Sequence, residues 1–306
     1  MTSSTPSSPI GSPSPAHAVR DMFSQIAPRY DFLNHLLSLR LDIAWRRRAA
    51  RRFRDVLARA EARILDVCCG TGDLALALQR VADEEGRQRP ISRGARIFGT
   101  DFAHPMLQIA RRKSLAASNL ELRATGWSQQ PGREETCPRF RFPLWGRSRR
   151  ADSLSTLQVA ALCGSVAPIL GPTYFEGDAL SLPCADSSFD LLTTAFGFRN
   201  LADYDHGLAE FFRVLKPGGR LAILEFSEPQ GVVFGPAYRF YFTRILPRIG
   251  GAISGNSAAY TYLPNSVQKF PSPEALVQLI SHAGFSDVRF DLFSAGIVAL
   301  HTALRP

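Results

Sequence analysis

The chain has 306 residues, 45% of them apolar, 21% charged and 10% aromatic, with a net charge of +9, which is the composition of a globular protein with ample material for a core. No run of 18 apolar residues occurs, which excludes a transmembrane helix, and the N-terminus has neither the basic nor the apolar segment of a secretory signal. Five cysteines without CxxC or Cys/His spacing argue for a reduced, metal-free, cytoplasmic protein.

In chain order, residues 1–16 are Ser, Pro, Thr and Gly with a single Ile, too polar to pack, and read as a disordered tail. Everything from residue 17 to 306 reads as one domain. Residues 17–60 suggest two helices, the second repeating Phe53, Val56, Leu57 and Ala60 at helical spacing among many arginines. ARILDVCCG (62–70) is a short apolar run ending in Gly, hence a buried strand, and a helical pattern follows from Thr71. ARIFGTD (95–101) and HPMLQIARRKS (104–114) repeat the strand–helix unit. Residues 115–172, rich in Pro, Gly and Arg and carrying Trp127 and Trp145, have no period and read as a flexible insertion. Alternation then resumes. PTYFEGDAL and SFDLLTTAFGF give two strands, and YDHGLAEFFRVLKPGG a helix closed by a Pro-Gly-Gly turn. RLAILEFSEP gives another strand and SPEALVQLISHAGF a capped helix. DVRFDLFSAGIVALHTALRP gives two strands joined near Ala295 and Gly296. This order predicts an α/β fold, a doubly wound and mostly parallel sheet with N-terminal helices and a C-terminal antiparallel hairpin.

Charge is uneven: residues 1–60 hold ten Arg against four Asp, and residues 111–172 hold ten Lys or Arg against four Asp or Glu. The remaining blocks are slightly acidic. A basic periphery around an acidic core suits an anionic membrane surface at least as well as nucleic acid, and solvated arginine-rich faces explain it equally.

The chemistry concentrates at the strand ends. Asp66-Val-Cys-Cys-Gly70-Thr71-Gly72-Asp73 lies where the first strand turns into the first helix, the place where doubly wound sheets bind nucleotide-like ligands. Asp101 ends the second strand, placed to accept hydrogen bonds from a ribose diol. Glu176-Gly177-Asp178-Ala179 follows the third, where an Asp can meet an adenine amino group. Gly70-x-Gly72-x-x-Ala75 nominally fits a dinucleotide fingerprint. However, Asp101 lies 29 residues beyond Gly72 rather than about 20, and Asp73 stands where a pyrophosphate would want free N–H groups. A ligand without phosphate and with a cationic portion, such as S-adenosylmethionine, fits better.

DVCCGTGD, FGTD, GDALSLPCADSSFD and LKPGGRLAILEFSEP together resemble a class I S-adenosylmethionine-dependent methyltransferase. Four further stretches, FSQIAPRYDFLNHLLSLRLDIAWRR, AFGFRNLADY, ISGNSAAYTYLPNSVQKFPSPEAL and AGIVALHTA, make the sequence similar to the ubiquinone/menaquinone biosynthesis C-methyltransferase family over about residues 19–114 and 173–303. The resemblance implies a seven-stranded Rossmann-like sheet and S-adenosylmethionine held by Thr71, Asp101, Asp178, Ala179 and the position of Ala195, to which the first strand–helix turn adds Asp66, Gly70 and Gly72. Ala195 stands where the family often has Ser or Gly, which removes a side-chain hydrogen bond and leaves backbone contacts. It further implies C-methylation of a prenylated quinol, with demethylmenaquinol favoured over the benzoquinol of ubiquinone synthesis or another small hydrophobic acceptor. Tyr30, Asp31, Asn34 and Tyr262 are the expected substrate-side residues. Arg199 is expected to lower the acceptor hydroxyl's pKa or order a water, with pairing to Asp203 or Asp205 the structural alternative. A prenylated substrate implies peripheral contact with the inner face of the cell membrane. FGPAYRFYFTRILPRI (234–249), which interleaves aromatic and aliphatic residues with Arg239, Arg244 and Arg248, is the candidate surface, although a core helix with snorkelling arginines reads equally well. No nucleic-acid partner is expected, and a homodimer is compatible with the sequence without being specified by it.

Overall fold

In a computed structural model of the chain, the residues described are 15–86, 94–124, 171–229, 235–236, 240–245, 248, 264 and 266–306. The expected tail (1–16) falls outside them except for its last two residues, as does most of the 115–172 insertion. By spatial clustering the chain separates into one unit of Met1–Ser114 with Pro172–Pro306 and a second of Leu115–Gly171.

The larger unit is a seven-stranded sheet. Three helices come first, α1 (Pro15–Leu37), α2 (Leu41–Arg51) and the single turn α3 (Arg54–Leu57). Then follow β1 (Arg63–Val67), α4 (Asp73–Gly86), β2 (Arg96–Asp101), α5 (His104–Ala124), β3 (Thr173–Glu176) and β4 (Phe189–Ala195). The chain closes with α6 (Tyr204–Val214), β5 (Leu215–Phe226), α7 (Pro273–His282), β6 (Ser286–Phe293) and β7 (Val298–Leu304). The strand order is β3-β2-β1-β4-β5-β7-β6; β7 runs antiparallel to both neighbours and the other pairings are parallel. The doubly wound sheet and its terminal hairpin are as the sequence predicts.

Period-two alternation explains why central strands read as continuous apolar runs. Ile64 packs with Trp45, Phe53, Leu74 and Leu78 on one face, while its neighbour Leu65 packs with Phe189, Phe198, Leu208 and Ile280 on the other. Leu191 and Leu192 divide in the same way. Local signals set the helix starts. The Asp203 carboxylate accepts the His206 N–H at 2.9 Å to cap α6, and Ser272 Oγ accepts the Ala275 N–H at 3.2 Å to cap α7, with Pro273 beside it.

Three boundaries differ from expectation. The second N-terminal helix breaks at Phe53, giving α2 and α3, because Phe53 and Leu57 must both enter the core beneath α4. Helix α5 continues to Ala124, ten residues beyond its expected end. Pro217-Gly218-Gly219 does not close α6, which stops at Val214; Leu215 already pairs with Phe189, the register shifts before Leu191 pairs with Arg220, and the Gly218 N–H donates to the Arg305 carbonyl at 2.8 Å. The glycines thus form a bulge inside β5.

Candidate functional site

Parallel strands deliver their carboxyl ends to one edge of the sheet, and a cavity of about 1040 Å³, counting space open to solvent, lies there. β1 contributes Asp66 and the turn Cys68–Thr71; β2 contributes Asp101, with Phe102 after it; beyond β3 come Gly177 to Leu180. Ala195, Phe196 and Gly197 close the β4 side, and Phe23, Tyr30 and Arg46 reach in from α1 and α2. Cys68 turns the chain at φ 54°, and Gly70, at φ 53°, has open space where a Cβ would stand, so backbone and ligand can approach closely.

Three carboxylates line this edge in different states. Asp66 is fully buried; its Oδ1 accepts the Thr193 hydroxyl at 2.9 Å, while Oδ2 has no hydrogen-bond partner in the structure. Burial pushes its pKa up to about 7, against the hydrogen bond from Thr193, the charge of Arg46 and the weaker pull of the Ala75 backbone N–H, which stays outside hydrogen-bond geometry with Oδ2. Asp101 accepts the backbone N–H groups of Gly70 at 2.8 Å and Ala103 at 2.9 Å, yet burial still raises its pKa. Asp178 folds an Asx turn on the Leu180 N–H at 2.9 Å, with Ala179 buried beside it. An orphaned buried carboxylate oxygen invites a cation, a diol can add donors to Asp101, and an exocyclic amine can donate to Asp178. The residues therefore fit a ligand with an ammonium, a diol and an aminopurine, in that order across β1, β2 and β3.

Of the expected cofactor residues, Asp66, Gly70, Thr71, Asp101, Asp178, Ala179 and Ala195 all line the cavity. Gly72 does not. At φ 83°, its Cβ position would lie 2.5 Å from Tyr174 Oη, so the residue is glycine because β3 and α5 press against the turn.

The substrate-side expectations divide. Tyr30 lines the cavity, and burial raises its phenol pKa although Arg199 and Arg46 lower it and the Asn34 side chain bonds to it. Asp31 faces elsewhere: it accepts the Thr71 hydroxyl at 2.5 Å and Lys113 Nζ at 2.9 Å. Lys113 also reaches Thr71 Oγ1 at 3.2 Å and the Asp73 carboxylate. The cation that answers Asp73 in the structure is thus Lys113, a residue the sequence reading passed over because its partners lie on α1, at the glycine turn and on α4. Asn34 acts through Tyr30, and Tyr262 lies outside the described residues.

Arg199 also departs from expectation. Its Nη1 lies 3.0 Å from Glu225 Oε2 and also donates to the Phe196 carbonyl, its Nε reaches Ser266 Oγ at 3.4 Å, and its side chain is 5% exposed. Neither Asp203 nor Asp205 holds it. Its charge is committed to a buried pair with Glu225 on β5, while still lowering the pKa of the Tyr30 phenol.

Comparison with known proteins follows this geometry. Residues 13–128 and 169–305 match the family model described as the ubiE/COQ5 methyltransferase family. A demethylmenaquinone methyltransferase of Thermus thermophilus is 44% identical over 93% of this chain and 100% of its own length. A ubiquinone/menaquinone biosynthesis C-methyltransferase of Geobacter sulfurreducens is 39% identical over 93% of this chain and 87% of its own. A solved SAM-dependent methyltransferase from Thermotoga maritima shares the fold, with a TM-score of 0.52 at 16% identity, covering 94% of this chain and 99% of that one.

Proposed function

The chain belongs to the ubiE/COQ5 methyltransferase family, and we propose that it transfers a methyl group from S-adenosylmethionine to a ring carbon of demethylmenaquinol. The observation that carries this reading is the row of carboxylates across β1, β2 and β3, with the orphaned Oδ2 of Asp66 at its β1 end. Bound there, S-adenosylmethionine supplies an electrophilic methyl group on a sulfonium. Asp66 takes the ammonium, Asp101 the ribose diol and Asp178 the adenine amine. Gly70 and Ala195 let the backbone approach closely. The corresponding benzoquinol is the alternative acceptor, consistent with the broader name borne by the Geobacter relative.

Carbon methylation needs a nucleophilic ring carbon, which the neighbouring hydroxyl provides as it loses its proton. The hydroxyl proton passes to solvent; the new carbon–methyl bond would form as the methyl–sulfur bond breaks to leave S-adenosylhomocysteine, and loss of the ring-carbon proton to solvent then returns the electron pair to the oxygen, which is reprotonated. Tyr30 is the group we assign to the acceptor oxygen. Its phenol faces the cavity and stays protonated at neutral pH, so it donates a hydrogen bond to the developing phenolate. Asn34 orients that phenol, and the buried Arg199–Glu225 pair fixes the floor under it. Apolar walls from Phe23, Phe102, Met106 and Leu201 keep water away and hold the alignment on which much of the rate depends.

The acceptor's prenyl tail brings the chain to a membrane surface. No helix among the described residues is long and apolar enough to cross a bilayer. Phe240, 62% exposed, and Ile245 stand in solvent next to exposed Arg244 and Arg248, which suits an interfacial contact with anionic lipid. Vesicles containing phosphatidylglycerol are expected to sediment the protein at low salt and release it at high salt; an empty pellet at every salt concentration would refute the contact. The transfer itself is tested by incubating the protein with methyl-labelled S-adenosylmethionine and reduced short-chain demethylmenaquinone. Carbon-13 NMR of the product should show an aryl methyl, whereas a methoxy signal would overturn carbon methylation.

A further inference from the structure

Among the described residues lining the cavity, Arg46 is the one basic side chain, set against Asp66, Asp73, Asp101 and Asp178. It lies on α2 and is 8% exposed. Its Nη1 donates to Asp42 Oδ2 at 2.5 Å, and its guanidinium carbon stands 5.0 Å from the centre of the Phe196 ring. Asp42 is itself held by the Ser38 hydroxyl at 2.7 Å and by His35 Nδ1 at 2.8 Å. The guanidinium is therefore anchored at one nitrogen and stacked on an aromatic face. It carries five donors, and none of the others has an acceptor among the described residues. An oriented cation with donors to spare, facing a cavity whose other charged side chains are all carboxylates, is a receptor for an anionic oxygen.

We infer that Arg46 receives the carboxylate at the methionyl end of S-adenosylmethionine, an assignment that rests on the donor reading above. Strand order supports it. With the adenine at Asp178 beyond β3 and the diol at Asp101 on β2, the methionyl end reaches β1 and then β4, where Phe196 carries Arg46. An amino acid's ammonium and carboxylate share one carbon, so the receptor for the second must stand within a few ångströms of Asp66. The charge of Arg46 is felt at Asp66, and among the lining residues no other cation could meet a carboxylate there. Elsewhere along the cavity a carboxylate would meet apolar walls or like charges.

The test is calorimetric and needs no turnover. S-Adenosylhomocysteine and its decarboxylated counterpart, which lacks only the carboxylate, are titrated into the unaltered full chain and into Arg46→Gln. The unaltered chain should prefer the carboxylate-bearing ligand roughly ten- to hundredfold, the range of a charge-assisted pair. Arg46→Gln should bring the two ligands to within about threefold of each other by weakening the first and leaving the second nearly unchanged. Equal weakening of both would overturn the assignment, because it would make Arg46 a structural residue. Unchanged affinity for S-adenosylhomocysteine with a lowered kcat would also overturn it and move Arg46 to the acceptor's oxygen. If Arg46→Gln does not fold, the preference of the unaltered chain decides alone, and its absence overturns the assignment. Failure of the unaltered chain to bind either ligand would instead overturn the donor reading beneath it.

Discussion

Gly72→Ala separates a ligand contact from a packing constraint. A Cβ at this position would stand 2.5 Å from Tyr174 Oη, 3.1 Å from its Cζ and 3.0 Å from the Ala110 Cβ, on a residue whose φ is 83°. The left-handed backbone costs about 1–2 kcal/mol for a residue with a Cβ, and overpacking adds about 1–3 kcal/mol. The expected loss is therefore about 2–5 kcal/mol, read as a lower urea midpoint at unchanged slope. Tyr174 is 6% exposed and its hydroxyl lies 3.1 Å from Ser114 Oγ, so Tyr174→Phe removes the obstructing oxygen at the loss of one hydrogen bond, about 1 kcal/mol. In the double variant that oxygen is absent, so the two substitutions together should destabilise less than their sum by about 1 kcal/mol or more. At temperatures where Gly72→Ala remains folded, calorimetric affinity for S-adenosylhomocysteine should change little. Strict additivity of the two substitutions, or loss of ligand affinity with stability intact, would refute the packing account and return Gly72 to the ligand site.

Lys113→Met leaves Asp31 and Asp73, about a quarter exposed, without their shared cation; stability should fall by about 1–2 kcal/mol, and limited proteolysis within α1 should accelerate. Wild-type proteolysis rates would remove Lys113 as the fastening between α1 and the glycine turn. Arg199→Met leaves Glu225 buried without its partner and should destabilise by about 3–5 kcal/mol, with Glu225→Gln in the same chain restoring part of it. A stable Arg199→Met protein that had merely lost kcat would restore Arg199 to the free catalytic role. Asp66, with a pKa near 7, must ionise to hold an ammonium, so the Kd of S-adenosylmethionine should rise about tenfold per unit as pH falls from 7 to 5. The sign for stability is opposite. The folded pKa lies above the unfolded value of about 4, so the ligand-free chain loses stability as pH rises from about 4 to 7, because the unfolded carboxyl ionises while the buried one stays protonated, and Asp66→Asn should flatten both slopes.

Much of the fold was legible because its signals are local. RILDV and FDLLTTA are apolar runs too short for helices, Asp203 and Ser272 cap the helices they precede, and the acids end their strands where the turns begin. The edge that carries the cavity was legible for the same reason, since Asp66, Asp101 and Asp178, which line it, each belong to a strand end visible in the sequence. What could not be read depends on contacts between distant elements. Lys113 looks like one of three basic residues on a solvated helix face until α1, 82 residues earlier, brings Asp31 against it. Arg46 sits in an arginine run, and its burial against Asp42 and the ring of Phe196 distinguishes it from the exposed Arg47 and Arg48 as the one facing the cavity. Arg199 could be given a nearby acid from sequence, but its actual partner, Glu225, comes from the neighbouring strand. Gly72 fits a ligand fingerprint, whereas its real constraint, Tyr174, lies on a strand that begins about a hundred residues later.

The account stands or falls on the acceptor. Methyl transfer from labelled S-adenosylmethionine should be measured side by side on reduced short-chain demethylmenaquinone and on the matching demethylated benzoquinol. The account predicts label in the naphthoquinol with a kcat/KM well above that for the benzoquinol. Label in neither, from a protein shown by calorimetry to bind S-adenosylmethionine, would contradict it and leave the fold with another acceptor.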